Sequence, residues 1–61
     1  MMIKKGDLVI KSSGYSDVGE AGIVINFRQG ADGVQLVRVL SNNTIKCWLI
    51  DYVELVGHAG R

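Results

Sequence analysis

The sequence predicts an all-β domain built from five short strands. Short apolar runs rich in valine and isoleucine alternate with turns that carry glycine, asparagine or aspartate. No segment shows apolar residues recurring with the 3.6-residue period of an amphipathic helix. The 61 residues include no proline, and the eight glycines stand mainly between the apolar runs. These observations together favour a small sheet connected by tight turns.

The predicted strands follow one another closely along the chain. They cover residues 7–11, 21–27, 34–40, 44–49 and 53–56. A long polar loop follows the first strand. The segment 28–33 contains an Asp-Gly pair, which favours hairpin reversal, and Asn42 and Asn43 tolerate the left-handed conformation of a tight turn. Residues 50–52 are too few for a strand and suit a single 3₁₀ turn.

Strand periodicity predicts apolar residues on both faces of the sheet. Because side chains alternate between faces, one face should form the core. This core is predicted to contain Val9, Val24, Val37 and Val39, with Leu49 and Leu55 beside them. The opposite face should carry Leu8, Ile10, Ile23, Ile25 and Leu36. A soluble monomer usually keeps one face of an antiparallel sheet polar, so we expect a protein partner or a second copy to cover part of this face. The alternative is that loops or strand curvature cover it within the small barrel.

The length allows one domain, residues 1–61, with a core at about 5–56 and a flexible tail at 57–61. So small a core is marginal, and disulfides, metals or association often reinforce one. Cys47 is the only cysteine, so an internal disulfide is impossible, and we interpret it as a buried, inert thiol. Cys47 and His58 alone do not complete a zinc site. We therefore expect no metal or other cofactor, and association is the route that the sequence leaves open.

The charge balance argues against a dedicated nucleic-acid-binding domain. The formal net charge is +1, whereas such a domain is usually clearly basic because phosphate neutralisation drives its affinity. The chain has no uninterrupted apolar run of membrane-spanning length and no apolar signal segment at its N-terminus. We therefore expect a cytoplasmic location.

The acidic and hydroxyl side chains do not predict catalysis. No pair of acids has a spacing that argues for acid–base chemistry, and the serines of the first loop lack phosphate-binding spacing. We interpret the acids as solvated or turn-forming residues, with Asp7 capping the turn after Gly6. They are Asp7, Asp17, Glu20, Asp32, Asp51 and Glu54. The expectation is a protein that is not an enzyme.

Three aromatic residues could form a groove for an extended peptide. Trp48 and Tyr52 are four residues apart, and Tyr15 lies in the long first loop. In peptide-binding domains of this size, aromatics from comparable places line such a groove. The alternative, which we favour for Trp48, is that it covers one end of the core while Tyr52 hydrogen-bonds a loop.

A small basic patch is the other candidate site. Arg28, Arg38 and Lys46 fall on three strands that we expect to be neighbours, and with Trp48 they could bind single-stranded nucleic acid by phosphate contact and stacking. The alternative is that these are ordinary strand charges that oppose aggregation.

Five short motifs, spread over about residues 5–56, resemble the pattern of a known protein family. They are Gly6-Asp7-Leu8-Val9, Gly22-Ile23-Val24, Val37-Arg38-Val39, Trp48-Leu49 and Glu54-Leu55-Val56. In this pattern the chain resembles a group of very small SH3-like barrel proteins that are common in tailed-bacteriophage genomes. The resemblance implies a small five-stranded SH3-like barrel, located in the host cytoplasm or in the virion.

Two other groups share this scaffold. KOW-type domains are one, and this likeness implies a nucleic-acid-binding regulator as the alternative function. The plasmid-encoded type II dihydrofolate reductases are the other, but their Val-Gln-Ile-Tyr strand is absent, since Val34-Gln35-Leu36-Val37 lacks the tyrosine.

The function expected first is a non-enzymatic structural or adaptor module that self-associates or docks on a larger protein assembly, as a minor bacteriophage protein. An enzyme site shared at an oligomer axis is the remaining possibility.

Overall fold

The computed structural model describes residues 3–57, and these form five β-strands without an α-helix. The strands are β1 (Leu8–Lys11), β2 (Ala21–Gln29), β3 (Gln35–Ser41), β4 (Thr44–Leu49) and β5 (Val53–Gly57). Every predicted strand is confirmed, with ends that differ by no more than two residues. The predicted 3₁₀ turn is present at Ile50–Tyr52. Of the predicted flexible tail, Gly57 belongs to β5, and the rest, including His58, lies outside the described residues.

The strands form one antiparallel sheet in the order β4-β3-β2-β1-β5. β2 takes part in two ladders, because its first residues pair with β1 and the residues from Ile23 onward pair with β3. Within residues 3–57 no ladder joins β4 to β5, so the sheet is open. The prediction of an all-β fold with five strands is therefore confirmed, whereas closure into a barrel is not.

The turns follow the local chemistry of their residues. Asn42 and Asn43 have φ angles of 53° and 62°, which makes the two-residue connection between β3 and β4 a type I′ turn, as their tolerance of positive φ predicts. The connection between β2 and β3 turns at Ala31–Gly33, where Asp32 and Gly33 adopt left-handed φ angles of 60° and 74°. The ladder from β3 to β4 that begins at the Asn42–Asn43 turn runs without a register shift.

Asp7 closes the turn before β1. Its Oδ2 accepts a hydrogen bond of 2.8 Å from the Lys4 N–H, and its own N–H donates to the Lys4 carbonyl at 3.0 Å. Gly6 lies inside this turn at φ 93° and donates to the Val24 carbonyl at 2.8 Å. The predicted role of Asp7 as a turn cap is thus confirmed, and the turn ties the start of β1 to β2.

A β-bulge in β2 changes the predicted assignment of faces. Val24 pairs with Val39, but the next paired residue is Asn26, opposite Arg38, so Ile25 has no partner in the ladder. The bulge places Asn26 on the same face as Arg38, and it leaves Ile25 half-buried. Ile25 therefore does not simply continue the alternation begun by Ile23.

The core lies on one face of the sheet, called here the inner face. It consists of Val9, Val24, Val37, Val39, Trp48 and Val53. The four predicted valines are confirmed, but Leu49 is not a core residue. Trp48 pairs with Val37, so it shares the inner face, while Leu49 pairs with Leu36 on the opposite, outer face. Leu55 pairs with Val9 but is only half-buried, since it lies on an edge strand.

The interpretation of Cys47 as a buried thiol is wrong. Cys47 is exposed, because it pairs with Arg38 and both residues project from the outer face. The apolar run Thr44–Leu49 suggested burial, yet β4 is an edge strand whose outer face has no covering element among residues 3–57.

Candidate functional site

The outer face carries a line of apolar side chains across four adjacent strands. Leu8 pairs with Ile23, Ile23 with Leu40, and Leu40 with Ile45, so the four residues are direct cross-strand neighbours. Leu8 is half-buried, whereas 41% of Ile23, 46% of Leu40 and 54% of Ile45 is exposed. We call these four residues the outer row. It crosses the sheet from β1 to β4 and presents a continuous apolar surface.

The other predicted interaction residues flank this row. Ile10 lies opposite Ala21, beside the row on β1, and is half-buried. Leu36 pairs with Leu49 nearer the other end of β3, and both are half-buried. The structure thus brings Leu8 and Ile23 together and places Leu36 in a separate apolar pair.

A polar line separates the two apolar parts of the outer face. It consists of the paired residues Asn26, Arg38 and Cys47. Arg38 Nη1 lies 3.5 Å from Asn26 Oδ1, which is the limit of a hydrogen bond. The outer face is therefore a striped surface rather than a single apolar patch.

Two members of the outer row are absent from the interaction residues predicted from the sequence. Leu40 lies on the same face as Leu36, because the two residues are an even number of positions apart in β3. Ile45 lies opposite Leu40, because a two-residue turn joins their strands. The Asn-Asn turn was recognisable in the sequence, and its length sets the pairing of β3 with β4. Applying that register would have identified both residues.

The inner face ends in a cluster of charged groups covered by the loop 12–20. Lys46 projects inward from β4 and forms ion pairs of 3.2 Å with Asp17 Oδ1 and 3.0 Å with Glu20 Oε2. Ser41 Oγ lies 2.5 Å from Glu20 Oε2 and 2.6 Å from the Ala21 carbonyl oxygen. Both carboxylates belong to the loop, so the loop is held to the sheet by charge as well as by hydrogen bonds.

Trp48 is part of this same arrangement. Its side chain is only 4% exposed, and its indole N–H donates a hydrogen bond of 3.0 Å to Asp17 Oδ2. The Lys11 ammonium donates to the Ser16 carbonyl at 2.7 Å and lies 6.0 Å from the centroid of the Trp48 ring, a cation–π geometry. Trp48 thus covers one end of the core beneath the loop, in agreement with the structural interpretation.

The three aromatics do not line an open groove in this conformation. Tyr15 is fully exposed on the loop, and Tyr52 is half-buried with its ring centroid 5.7 Å from Lys11 Nζ. It is the backbone carbonyl of Tyr52 that holds the loop, by accepting a hydrogen bond of 2.7 Å from the Ser12 N–H. Of the three aromatics, Trp48 is therefore covered, Tyr52 is half-buried and Tyr15 alone is fully exposed.

The hydrogen bonds of the cluster shift the pKa values of its members. The pKa of Asp17 is lowered, first by the Trp48 hydrogen bond and then by Lys46. The pKa of Glu20 is lowered, first by the Ser41 hydroxyl and then by Lys46. The pKa of Lys46 is raised by its hydrogen bonds to Glu20 and Asp17. All three groups are therefore held in their charged forms near neutral pH.

The four residues of the predicted basic patch lie on opposite faces of the sheet. Arg38 is on the outer face, where Arg28 is also placed by its pairing with Leu36. Lys46 and Trp48 are on the inner face, because Lys46 pairs with Val39 and Trp48 with Val37. Lys46 is neutralised by two carboxylates. Nucleic-acid binding stays a prediction, and the structure does not bring these four side chains together.

Among residues 3–57, no three His, Cys, Asp or Glu side chains come together in a way that could hold a metal ion. The same part of the chain contains no helix with the length and hydropathy needed to cross a membrane.

No protein-family model matches this chain, and no curated protein is significantly similar to it.

Proposed function

We propose that this protein is a non-enzymatic structural or adaptor module of the SH3-like barrel kind, which self-associates or docks on a larger protein assembly as a minor bacteriophage component. The observation that carries the proposal is the outer row, Leu8, Ile23, Leu40 and Ile45, aligned in register across four strands. Three of these side chains are between 41% and 54% exposed.

The sheet geometry supports the barrel part of the proposal. β2 pairs with β1 through Gly22 and Ile23, and with β3 through Ile23 and later residues, so one long strand belongs to two halves of the sheet. The bulge at Ile25 lies just past this junction, and bulges bend strands and increase their twist. The inner-facing side chains of all five strands contribute to the region around one core.

Burial of the outer row would supply the energy of association. Fully burying an isoleucine or leucine side chain contributes roughly 1.5–3 kcal/mol. A 61-residue chain has a small core, and within it no disulfide can form since Cys47 is its only cysteine. Covering a row that is about half exposed therefore offers this chain a large gain relative to its own stability.

The charged cluster supports a non-enzymatic function. Asp17 and Glu20 are the acids that lie together, and each is engaged by Lys46. Their pKa values are lowered, whereas a general acid or base works best with a pKa near the working pH. The cluster is thus suited to fixing the loop 12–20 to the sheet.

Sedimentation equilibrium at several concentrations, in low and in moderate salt, tests the proposal. We expect a dimer or a larger oligomer that persists in moderate salt, because apolar burial is not screened by ions. The variant Ile45→Lys should weaken association about tenfold or more, since it places a charge in the outer row.

The matched control is Val34→Lys. Val34 is 42% exposed but lies just before the first residue of β3, at the end of the strand far from Leu40, so its charge should leave association unchanged. A wild-type protein that stays monomeric at every concentration would contradict self-association. Equal effects of the two variants would show that the outer row is not the surface involved.

A further inference from the structure

The free edge of β4 presents a defined set of backbone groups. β3 and β4 are joined by the two-residue turn Asn42–Asn43, so Ser41 and Thr44 form the hydrogen-bonded pair next to the turn. Bonded and non-bonded pairs then alternate along the ladder. The N–H and C=O groups of Thr44, Lys46 and Trp48 point toward β3, and those of Ile45, Cys47 and Leu49 point away from the sheet.

We propose that two copies of this chain join through this edge, with their β4 strands paired antiparallel about a twofold axis beside Cys47. The inference rests on the proposed function and specifies how self-association occurs. Among residues 3–57, β4 has no strand on its far side. A second β4 would supply partners for the outward backbone groups and continue one sheet across both copies.

The position of the twofold axis follows from Ile45, Cys47 and Leu49, the three residues whose backbone groups point away from the sheet. With the axis at Cys47, Cys47 faces Cys47 of the second copy, and Ile45 faces Leu49 of the second copy. Each β4 residue whose backbone groups point away from its own sheet then faces a residue of the same kind in the second copy. Each such pair exchanges two backbone hydrogen bonds. An axis at Lys46 would place two lysines opposite each other and would leave Leu49 facing the turn.

β4 lacks the features that usually protect an edge strand. Such edges are commonly blocked by proline, by a bulge or by unpaired charge. The ladder from β3 to β4 runs without a register shift, and the only charged residue of β4 is Lys46. Lys46 points to the inner face and is neutralised by Asp17 and Glu20. The edge therefore has a regular register and carries no uncompensated charge.

The other edge of the sheet is different. β5 has an irregular register with β1, because Leu55 pairs with Val9 while Gly57 pairs with Leu8. It also carries the exposed acid Glu54. A bulge and a charge are the features that oppose pairing at an edge, so β4 rather than β5 is the edge that is open to a second copy.

Pairing through β4 also joins the apolar parts of the outer faces. The outer row ends at Ile45, which would lie beside Leu49 of the second copy. Leu49 in turn pairs with Leu36 within its own chain. Each outer row would therefore continue into the Leu36–Leu49 pair of the other copy. The result is two apolar lines related by the twofold axis, and this doubled surface is what would dock on a larger assembly.

Hydrogen exchange followed by NMR on the wild-type protein tests the inference. The amides of Ile45, Cys47 and Leu49 should exchange at least about tenfold more slowly when the concentration is raised above the association midpoint. The amides of Thr44, Lys46 and Trp48 point toward β3 and should be protected at every concentration, so they serve as the internal control.

A pair of variants at the axis provides the second measurement. Cys47→Pro removes an outward N–H and leaves the ladder with β3 intact, as proline on an edge strand can. It should weaken association about tenfold or more, because both hydrogen bonds at the axis are lost. Cys47→Ser keeps the N–H and should associate as the wild type does.

The outcomes separate this inference from the proposed function. A wild-type protein that is monomeric at every concentration overturns edge pairing and self-association alike. An oligomer in which the Ile45, Cys47 and Leu49 amides exchange at a rate independent of concentration overturns edge pairing alone, and self-association stands. Concentration-dependent protection of these three amides supports both, whether or not the Cys47→Pro variant folds.

Discussion

The indole N–H of Trp48 donates a hydrogen bond of 3.0 Å to Oδ2 of Asp17, a residue 31 positions earlier in the chain. The other oxygen of the same carboxylate lies 3.2 Å from Lys46 Nζ. Asp17 has φ 63°, a left-handed conformation that aspartate tolerates better than most residues. One side chain thus serves both a buried indole and an inward-pointing lysine, and it fixes the loop 12–20 over the core.

Replacing Asp17 should loosen the loop and expose Trp48. In Asp17→Ala the indole N–H loses its acceptor, and a buried donor without a partner is destabilising. We expect a Tm lower by several degrees and a red shift of tryptophan emission, which is specific because Trp48 is the only tryptophan. Val18→Ala, at the exposed neighbouring position, is the control. Unchanged emission and Tm in Asp17→Ala would show that this hydrogen bond does not hold the loop.

Stability should fall in acid because of the same cluster. Asp17 and Glu20 have lowered pKa values in the folded protein. Their contribution to stability is therefore complete above their unfolded pKa values and is lost as the pH falls through the lower, folded values. We expect urea unfolding to show a constant contribution from these groups at neutral pH and a decline below about pH 4.5, where an ordinary glutamate is half protonated.

The double variant Asp17→Asn, Glu20→Gln is the control for this pH dependence. It should be less stable than the wild type at pH 7, and its stability should change less between pH 5 and pH 2. Lys46 has a raised pKa, so its contribution is present at neutral pH and is lost only as the pH rises through its folded value. Parallel acid profiles for wild type and double variant would show that other carboxylates control the decline.

Shortening a core valine should destabilise the protein strongly for its size. Val39 is completely buried in β3 and faces Val24 across the ladder. Val39→Ala removes buried apolar volume and leaves a cavity, at a cost of about 2 kcal/mol. For a domain of this length that corresponds to a Tm lower by roughly 10 °C. Val34→Ala, at a position 42% exposed, should change the unfolding free energy by less than about 0.5 kcal/mol.

The turn between β3 and β4 should respond to substitutions according to backbone conformation alone. Asn43 has φ 62°, where a β-branched residue is strained by about 1–2 kcal/mol. Asn43→Val should therefore lower the unfolding free energy by about that amount, while Asn43→Gly should be neutral or stabilising, since Asn-Gly is favoured in type I′ turns. Chemical denaturation measures both. Similar effects of the two substitutions would show that the turn does not require positive φ.

Much of the fold follows from local sequence, as β4 and its turn illustrate. Asn42 and Asn43 favour positive φ, which fixes a two-residue connection, and strand alternation then assigns each residue of β3 and β4 to a face. The four core valines were predictable for the same reason. Leu49 differs from the prediction because the register of β3 with β4 places Trp48 opposite Val37 and Leu49 opposite Leu36.

The charged cluster was not predictable in this way. Asp17 and Glu20 lie 29 and 26 positions before Lys46 in the chain. The sequence suggests either a nucleic-acid contact or an ordinary strand charge for Lys46, and neither interpretation pairs it with these two acids. Only the docking of the loop 12–20 on the sheet brings the two carboxylates to the lysine. Likewise Cys47 lies in an apolar run, but its exposure depends on β4 being at the edge of the sheet.

The strands, their turns and most of the core are predictable from local sequence, because they depend on residue conformation and on the alternation of side chains within a strand. The strand order, the bulge at Ile25, the burial of Trp48 under Asp17 and the alignment of the outer row arise only when the chain folds. These features depend on contacts between residues distant in the chain, and local preferences do not specify which strand becomes an edge or what a loop covers.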